Sequence, residues 1–257
     1  MDQELTIFIG WDGREKIAYE VCKHSIEKHT KHDVKIVPLY HKELRRQGFF
    51  SRPWETEAMT GNMRDLIDGR PFSTEFSHTR FLVPALMKYK GWALFMDCDM
   101  VVRCDIQEVF SHIDNKFAAM CVKHRQNVNS ATKMDGSVQT SYHRKNWSSF
   151  LLFNCGHPSN RKLTREVVNT AMGGWLHGLS WLNDNEIGDL PDYYNWISGT
   201  SRADTKPRII HYTEGGPWFS DKKDVMFGDL WWDYYKSFHE FLPSPSDELL
   251  AVNYGSL

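Results

Sequence analysis

The chain has 257 residues, enough for one large domain or two small ones with a substantial core, and its 31 Lys+Arg stand against 33 Asp+Glu. That balance gives no global field to draw it onto nucleic acid or an anionic membrane. The acidic start, Met1-Asp2-Gln3-Glu4, leads into an apolar run too short for a signal peptide, and no segment approaches the ~20 apolar residues of a spanning helix.

Five cysteines, Cys22, Cys98, Cys104, Cys121 and Cys155, form no CxxC pair and no even disulfide set, so a reducing, cytoplasmic location is expected. Ten tryptophans and 14% aromatic residues are high and fit either core packing or a site that stacks sugars or bases.

Leu5-Thr6-Ile7-Phe8-Ile9-Gly10 reads as a strand buried on both faces. Ile17, Ala18, Val21, Cys22 and Ile26 recur at helical spacing, and Val34 to Leu39 is a second strand, which predicts a βαβ unit and a mostly parallel sheet. Residues 41–72 are rich in Arg, Gly and Pro and read as irregular. From Ser77 to Tyr89 an amphipathic helix is predicted, with Pro84 forcing a kink or a late start. Trp92 to Met96 is a third buried strand.

Asp105 is a plausible N-cap for a short helix, and Phe117–Val122 and Phe150–Phe153 are further strand candidates. Between them Lys123 to Asn146 is long, polar and basic, which suits an acceptor-side lid or a solvated hairpin. Arg208 to Tyr212 is a short strand, Thr213 to Trp218 a turn, and Asp229 to Phe241 an aromatic helix that packs on the sheet, covers a cleft or forms a dimer contact. No linker, repeat or low-complexity tract divides the chain, so one domain is the expectation.

Asp97-Cys98-Asp99 follows the third strand. Two carboxylates one residue apart at a strand end suit a hard divalent cation shared with a diphosphate, although such a triplet alone also fits a solvated turn. His211, at the end of a strand-like run, is a candidate third ligand, and Gly215-Gly216 can let backbone amides approach a phosphate.

With these segments in order, the chain resembles GT-A-fold glycosyltransferases, close to the family 8 type that includes lipopolysaccharide galactosyltransferases and glycogenin. The resemblance rests on Phe8-Ile9-Gly10-Trp11-Asp12, Ser77 to Pro84, Leu94 to Val102, Asp105-Ile106, Phe153-Asn154-Cys155-Gly156, and Ile210-His211-Tyr212 with Gly215 to Trp218. It implies an α/β, Rossmann-like GT-A fold with a mixed, mostly parallel central sheet flanked by helices. Residues 1 to about 100 would form the nucleotide-binding half, and about 101 to 257 the sugar and acceptor half.

It also implies roles. Asp97, Asp99 and His211 would hold Mn2+ or Mg2+ against the diphosphate of a nucleotide-sugar, UDP-linked by expectation, with Cys98 between them. Asp12 would contact the nucleotide, Trp11 would stack near the base, and Arg80 would face the donor sugar. Asn154 would bond the sugar, and Asp184, ahead of Asn183 and Glu186, is the first choice in the acidic segment beyond it. A hexose would pass to an acceptor hydroxyl with retention, by front-face attack and without the two-carboxylate arrangement of most glycosidases.

Two departures stand out. The family's lysine just before Pro-Trp is replaced by Gly216, leaving Lys222 or Lys223 or the glycine amides to meet the diphosphate, and Arg14 stands where a small polar residue is usual. Three other readings remain open at this stage. A haloacid-dehalogenase-type phosphatase would use Asp97 as nucleophile and Gly228-Asp229 to Asp233 as its metal motif. A non-catalytic module would only bind the nucleotide-sugar. A nucleic acid acceptor would meet the basic 123–146 segment.

Overall fold

The computed structural model describes residues 5–58, 61–124, 144–202, 205–240 and 252–257. Leu5–Gly10 (β1) is buried from Thr6 onward, as its unbroken apolar run requires. Asp12 caps the 3-10 turn that opens Lys16–His29 (α1), whose buried face carries Ala18, Val21, Cys22 and Ile26. Val34–Leu39 (β2) returns parallel to β1, with Ile7 opposite Ile36.

Residues 41–72 correct the sequence reading. His41–Arg46 is a short helix (α2), and Trp54–Thr56 (β3), Met63–Asp65 (β4) and Pro71–Phe72 (β5) form a separate antiparallel sheet. Strands of two or three residues are too short to display a period of two, so the pattern concealed them. A fully buried Arg52 holds this sheet in place. Its Nε lies 3.0 Å from Asp65 Oδ1, and its guanidinium donates to the carbonyls of Val168 and Ala171.

The helix expected over 77–89 is instead a 3-10 turn, Thr79–Leu82, followed by the single helical turn Val83–Leu86 (α3). Pro84 has no N–H to give and so stands in the first turn, and Lys88 and Tyr89 end the segment at positive φ. Trp92–Met96 (β6) is buried at every position and runs parallel to β1. Met100–Val102 (β7) then leaves for another sheet.

Gln107–Phe110 (α4) begins beyond Asp105, whose carboxylate accepts the Gln107 N–H at 3.1 Å. Ala119–Cys121 (β8) is shorter than the run that predicted it, and Phe150–Asn154 (β9) lies antiparallel to both β6 and β8. Arg165–Thr170 (α5), Gly173–His177 (α6), Ile187–Asp189 (β10), Trp196–Ile197 (β11), Ile209–His211 (β12) and Gly228–His239 (α7) complete the elements that position the site.

The large sheet has the order β10-β8-β9-β6-β1-β2, parallel except where β9 is inserted. A small sheet, β11-β12-β7, packs beside it. Val21, Val101, Ile210, Tyr212, Trp231 and Tyr234 form a second core between α1, the small sheet and α7. The aromatic helix therefore packs, and Trp231 is 1% exposed; Phe241 lies outside the described residues.

Most of the proposed lid, residues 125–143, also lies outside them. All five cysteines are buried and free. Among the described residues no helix is long and apolar enough to cross a membrane.

Candidate functional site

The chain changes sheets at Asp97-Cys98-Asp99. β6 ends at Met96 beside β1, and β7 starts at Met100 beside β12. Backbone bonds clamp the crossing: Asp97 N donates to Ser149 O and Tyr212 N donates to Asp99 O, each at 3.0 Å. Because His211 stands opposite Met100 in the β12–β7 register, its ring is delivered beside Asp99. His211 Nε2 lies 3.2 Å from Asp99 Oδ1 and 4.0 Å from Asp97 Oδ2. One ligand atom from each of the three residues lies within 4.8 Å of the others, a group able to hold a metal ion.

The donor set fits a hard or borderline cation. Asp97 Oδ1, Asp99 Oδ1 and His211 Nε2 are buried without a well-aligned hydrogen bond, even though Arg80 Nη1 approaches Asp97 Oδ1 to 2.9 Å. Buried polar atoms left in this state are costly unless something occupies the space between them. Two carboxylate oxygens and one imidazole nitrogen suit a divalent cation. His211 Nδ1 is already engaged, 2.9 Å from Asn195 Oδ1, which places the proton there and turns Nε2 toward the carboxylates.

The local charge also calls for a cation. Burial pushes the Asp97 carboxyl up to about 7 against the pull of Arg80, and Asp99 adds to the rise. Burial and then Asp99 push the Glu15 carboxyl up to about 8. For His211, burial alone would lower the pKa, but the charges of Asp99 and Asp97 reverse the direction. Arg80, 5% exposed, donates to Ser148 O at 2.9 Å and lies over the Phe95 ring at 4.8 Å.

A cavity of about 600 Å³ opens beside these residues, a size suited to a small-molecule ligand. Glu15, Asp97, Asp99, Ser148, Thr213 and Glu214 contribute to its lining, and so do Asp68, Phe72, His78, Met172, Trp175 and His177. Ser148 Oγ, 3.0 Å from His177 Nδ1, connects α6 to the segment that Arg80 holds.

Protein CDI of Arabidopsis thaliana is 46% identical to the chain over 230 residues, which is 88% of this chain and 83% of that protein. The chain belongs to the CDI family. No family model matches it. Among solved structures, the WbbM bifunctional glycosyltransferase superposes with a TM-score of 0.61 at 17% identity, covering 93% of the CDI-family chain but only 52% of WbbM. The glycosyltransferase GlyE of Streptococcus pneumoniae TIGR4 gives 0.58 at 17% identity, covering 93% of this chain and 62% of GlyE.

The CDI-family chain thus spans about half the length of WbbM and under two thirds of GlyE. The galactosyltransferase LgtC, solved with donor and acceptor sugar analogs, gives 0.55 at 11% identity, with 95% of this chain and 98% of LgtC covered. These likenesses establish the fold as GT-A, an α/β Rossmann-like arrangement.

The other sequence candidates of the CDI-family chain have their own places around this centre. Trp11 is 8% exposed and packs edge-on against Tyr40 at 4.4 Å, outside the cavity lining. Asp12 is fully buried and already accepts from Arg14 and from the Glu75 N–H at 2.9 Å, holding in place the 73–74 segment that lines the cavity. Arg14 also donates to Ser73 O. The Cys98 side chain is buried, its thiol 3.8 Å from Glu15 Oε2.

Gly215 has a φ of 97° and donates its N–H to Tyr212 O at 2.8 Å, so a turn uses that amide. A Cβ on Gly216 would lie 1.9 Å from the Trp218 ring. Packing therefore explains this glycine. Thr213 and Glu214 line the cavity, whereas Lys222 and Lys223 do not.

Two candidates lie away from the cavity. Asn154 pairs with Trp92 at the far end of β6, while Phe150 pairs with Met96; in an antiparallel strand it is the beginning that reaches Asp97. Its amide donates to Phe117 O at 3.1 Å. Asp184 has an 82% exposed side chain paired with Arg144 at 2.5 Å and does not line the cavity, and Asn183 and Glu186 cap one another. Asp229 and Asp233, the phosphatase-like pair, lie on α7 away from the triplet's cavity.

Sequence reasoning missed Glu15, Ser148, Ser149, Trp175, His177 and Asn195. Ser148-Ser149 did carry a signal, two small polar residues at the head of an apolar strand. Asn195 carried none.

Proposed function

We propose that the chain is a metal-dependent glycosyltransferase that moves a hexose from a nucleotide-sugar, UDP-linked, to an acceptor hydroxyl with retention of configuration. The observation that carries this reading is the convergence of Asp97, Asp99 and His211, with buried atoms left unbonded, on a cavity of about 600 Å³ in a GT-A fold. A bound Mn2+ or Mg2+ supplies Lewis-acid neutralisation of the departing nucleoside diphosphate. Asp97, Asp99 and His211 hold the cation, and Arg80 keeps the Asp97 carboxylate in place while presenting positive charge beside it.

Ser148 and Ser149 frame the donor sugar in the place first given to Asn154, and the wall with Trp175 and His177 receives the acceptor. The family 8 resemblance supports UDP, retention and Mn2+, and the free buried cysteines support a cytoplasmic setting. A saccharide hydroxyl is the preferred acceptor.

The test is a panel of nucleotide-sugars screened by thermal shift with and without Mn2+. A true donor at 100 times its dissociation constant stabilises by about 2.7 kcal/mol, and only with metal present. That donor should then transfer its sugar, and Asp99→Asn should abolish transfer while leaving the fold intact. A panel with no metal-dependent shift, or full Asp99→Asn activity in EDTA, rejects the reading.

A further inference from the structure

We propose that Asn195 is a positioning residue for the metal centre, fixing the ring of His211 and tying its position to that of Asp97. The inference rests on the metal-site reading above but concerns a residue outside the ligand set. Asn195 is fully buried at the end of the 3-10 turn Asp192–Tyr194, one residue before β11. Its carboxamide is used at both ends. Oδ1 accepts from His211 Nδ1 at 2.9 Å, and Nδ2 donates to Ser149 Oγ at 3.0 Å.

Ser149 completes the connection. Its carbonyl accepts the Asp97 N–H at 3.0 Å, and its hydroxyl donates to Asn146 O at 2.7 Å. Asp97, Ser149, Asn195 and His211 therefore form a hydrogen-bonded path from the backbone N–H of the first acidic residue to the imidazole. It runs from the large sheet to the small one.

The path does something that strand pairing cannot. Register between β12 and β7 places the His211 backbone opposite Met100, but an imidazole's rotation about χ2 is broad and roughly two-fold. A partner on Nδ1 fixes the tautomer and, with Asp99 on the other side of the ring, the orientation that turns Nε2 toward the carboxylates. Burying an amide is costly unless its polar atoms are satisfied, and an apolar residue would fill the same space without that requirement. A fully satisfied carboxamide at this position is thus accounted for by the ring it orients.

Mn2+ binding to the full chain, measured by titration calorimetry alongside the metal-free melting temperature, tests the proposal. Asn195→Leu removes both bonds and should weaken Mn2+ binding 10- to 100-fold, the range seen when second-layer partners of metal-bound histidines are lost. Asn195→Asp keeps an oxygen facing Nδ1 and should retain affinity within about threefold of the wild type. Ser149→Ala keeps the carbonyl bond to Asp97 but releases the Asn195 amide, and a loss of about two- to tenfold is expected.

Wild-type affinity in a folded Asn195→Leu overturns the proposal, as does an Asn195→Asp variant as weak as the leucine one. Should Asn195→Leu fail to fold, unchanged affinity in Ser149→Ala overturns the path on its own. A wild-type chain that does not bind Mn2+ removes the metal reading itself, and with it the role of Asn195. Wild-type binding combined with indifference to these substitutions removes only the latter.

Discussion

Arg80 forms an ion pair with Asp97 at 2.9 Å and donates to Ser148 O at 2.9 Å while its guanidinium lies over the Phe95 ring, so its removal acts on more than one neighbour. The resemblance cast it as a sugar-facing arginine, yet in the structure it is also the main positive charge beside a mostly buried carboxylate. Arg80→Ala should destabilise the fold by roughly 3–5 kcal/mol in chemical denaturation, because Asp97 loses its partner. Saturating Mn2+ should recover part of that loss, since a cation can answer the same charge. A loss unchanged by metal would separate Arg80 from the cation site.

His78 gives a pH dependence with a definite sign. Burial, followed by Arg52 and Arg80, lowers its pKa to about 3, against about 6.5 for an exposed histidine. The unfolded chain binds this proton first as pH falls, so the contribution to stability is complete above about 6.5 and is lost progressively toward about 3. Within that window the slope from this group approaches 1.4 kcal/mol per pH unit. Urea midpoints between pH 7.5 and 5 should therefore fall more steeply for the wild type than for His78→Asn, and equal slopes would contradict the assignment.

At the scale of elements, β9 controls where the site is assembled. As the antiparallel member of the large sheet it presents its beginning, not its end, to Asp97. Its apolar run was easy to recognise, but direction is not written in an apolar run, so the Phe-Asn-Cys-Gly match carried no sign that Asn154 stands at the end of β9 away from Asp97.

The parallel strands β1 and β6 were legible for the opposite reason: burial on both faces leaves continuous apolar runs, whereas β2, at the sheet edge and half-buried over residues 34–36, was legible from its β-branched residues; ligands gather at the carboxyl ends of such strands. β3, β4 and β5 were not, being too short for any period, and Asn195 is a lone amide whose importance comes only from tertiary contacts. The turn after β12 offers another test. Gly216→Ala should displace the Trp218 ring and cost about 1–3 kcal/mol, visible as a lower melting temperature and altered tryptophan fluorescence. A variant with native melting and emission would show that the turn has room.

At the scale of the whole molecule, the large sheet and the β11-β12-β7 sheet are joined at a three-residue crossing, with the ligand group drawn from both sides of the join. A cation held there links β6 to β12. Amide exchange in β7 and β12 should accordingly slow when Mn2+ is added, while α7, which packs on the far side of the small sheet through Trp231, should change little. Uniform slowing across the chain would point to a general rather than local effect.

The pairing of β12 with β7 also limits which changes of length the protein can tolerate. Ile210 and Tyr212 belong to the core beneath α7, while His211 between them faces the carboxylates. Loss of one residue within Ile209–His211 would exchange those faces, sending an isoleucine or tyrosine toward Asp99 and an imidazole into the aromatic core. Insertions and deletions in this lineage should therefore accumulate in the stretches between strands and be excluded from these three residues, however little the rest of the surface constrains them.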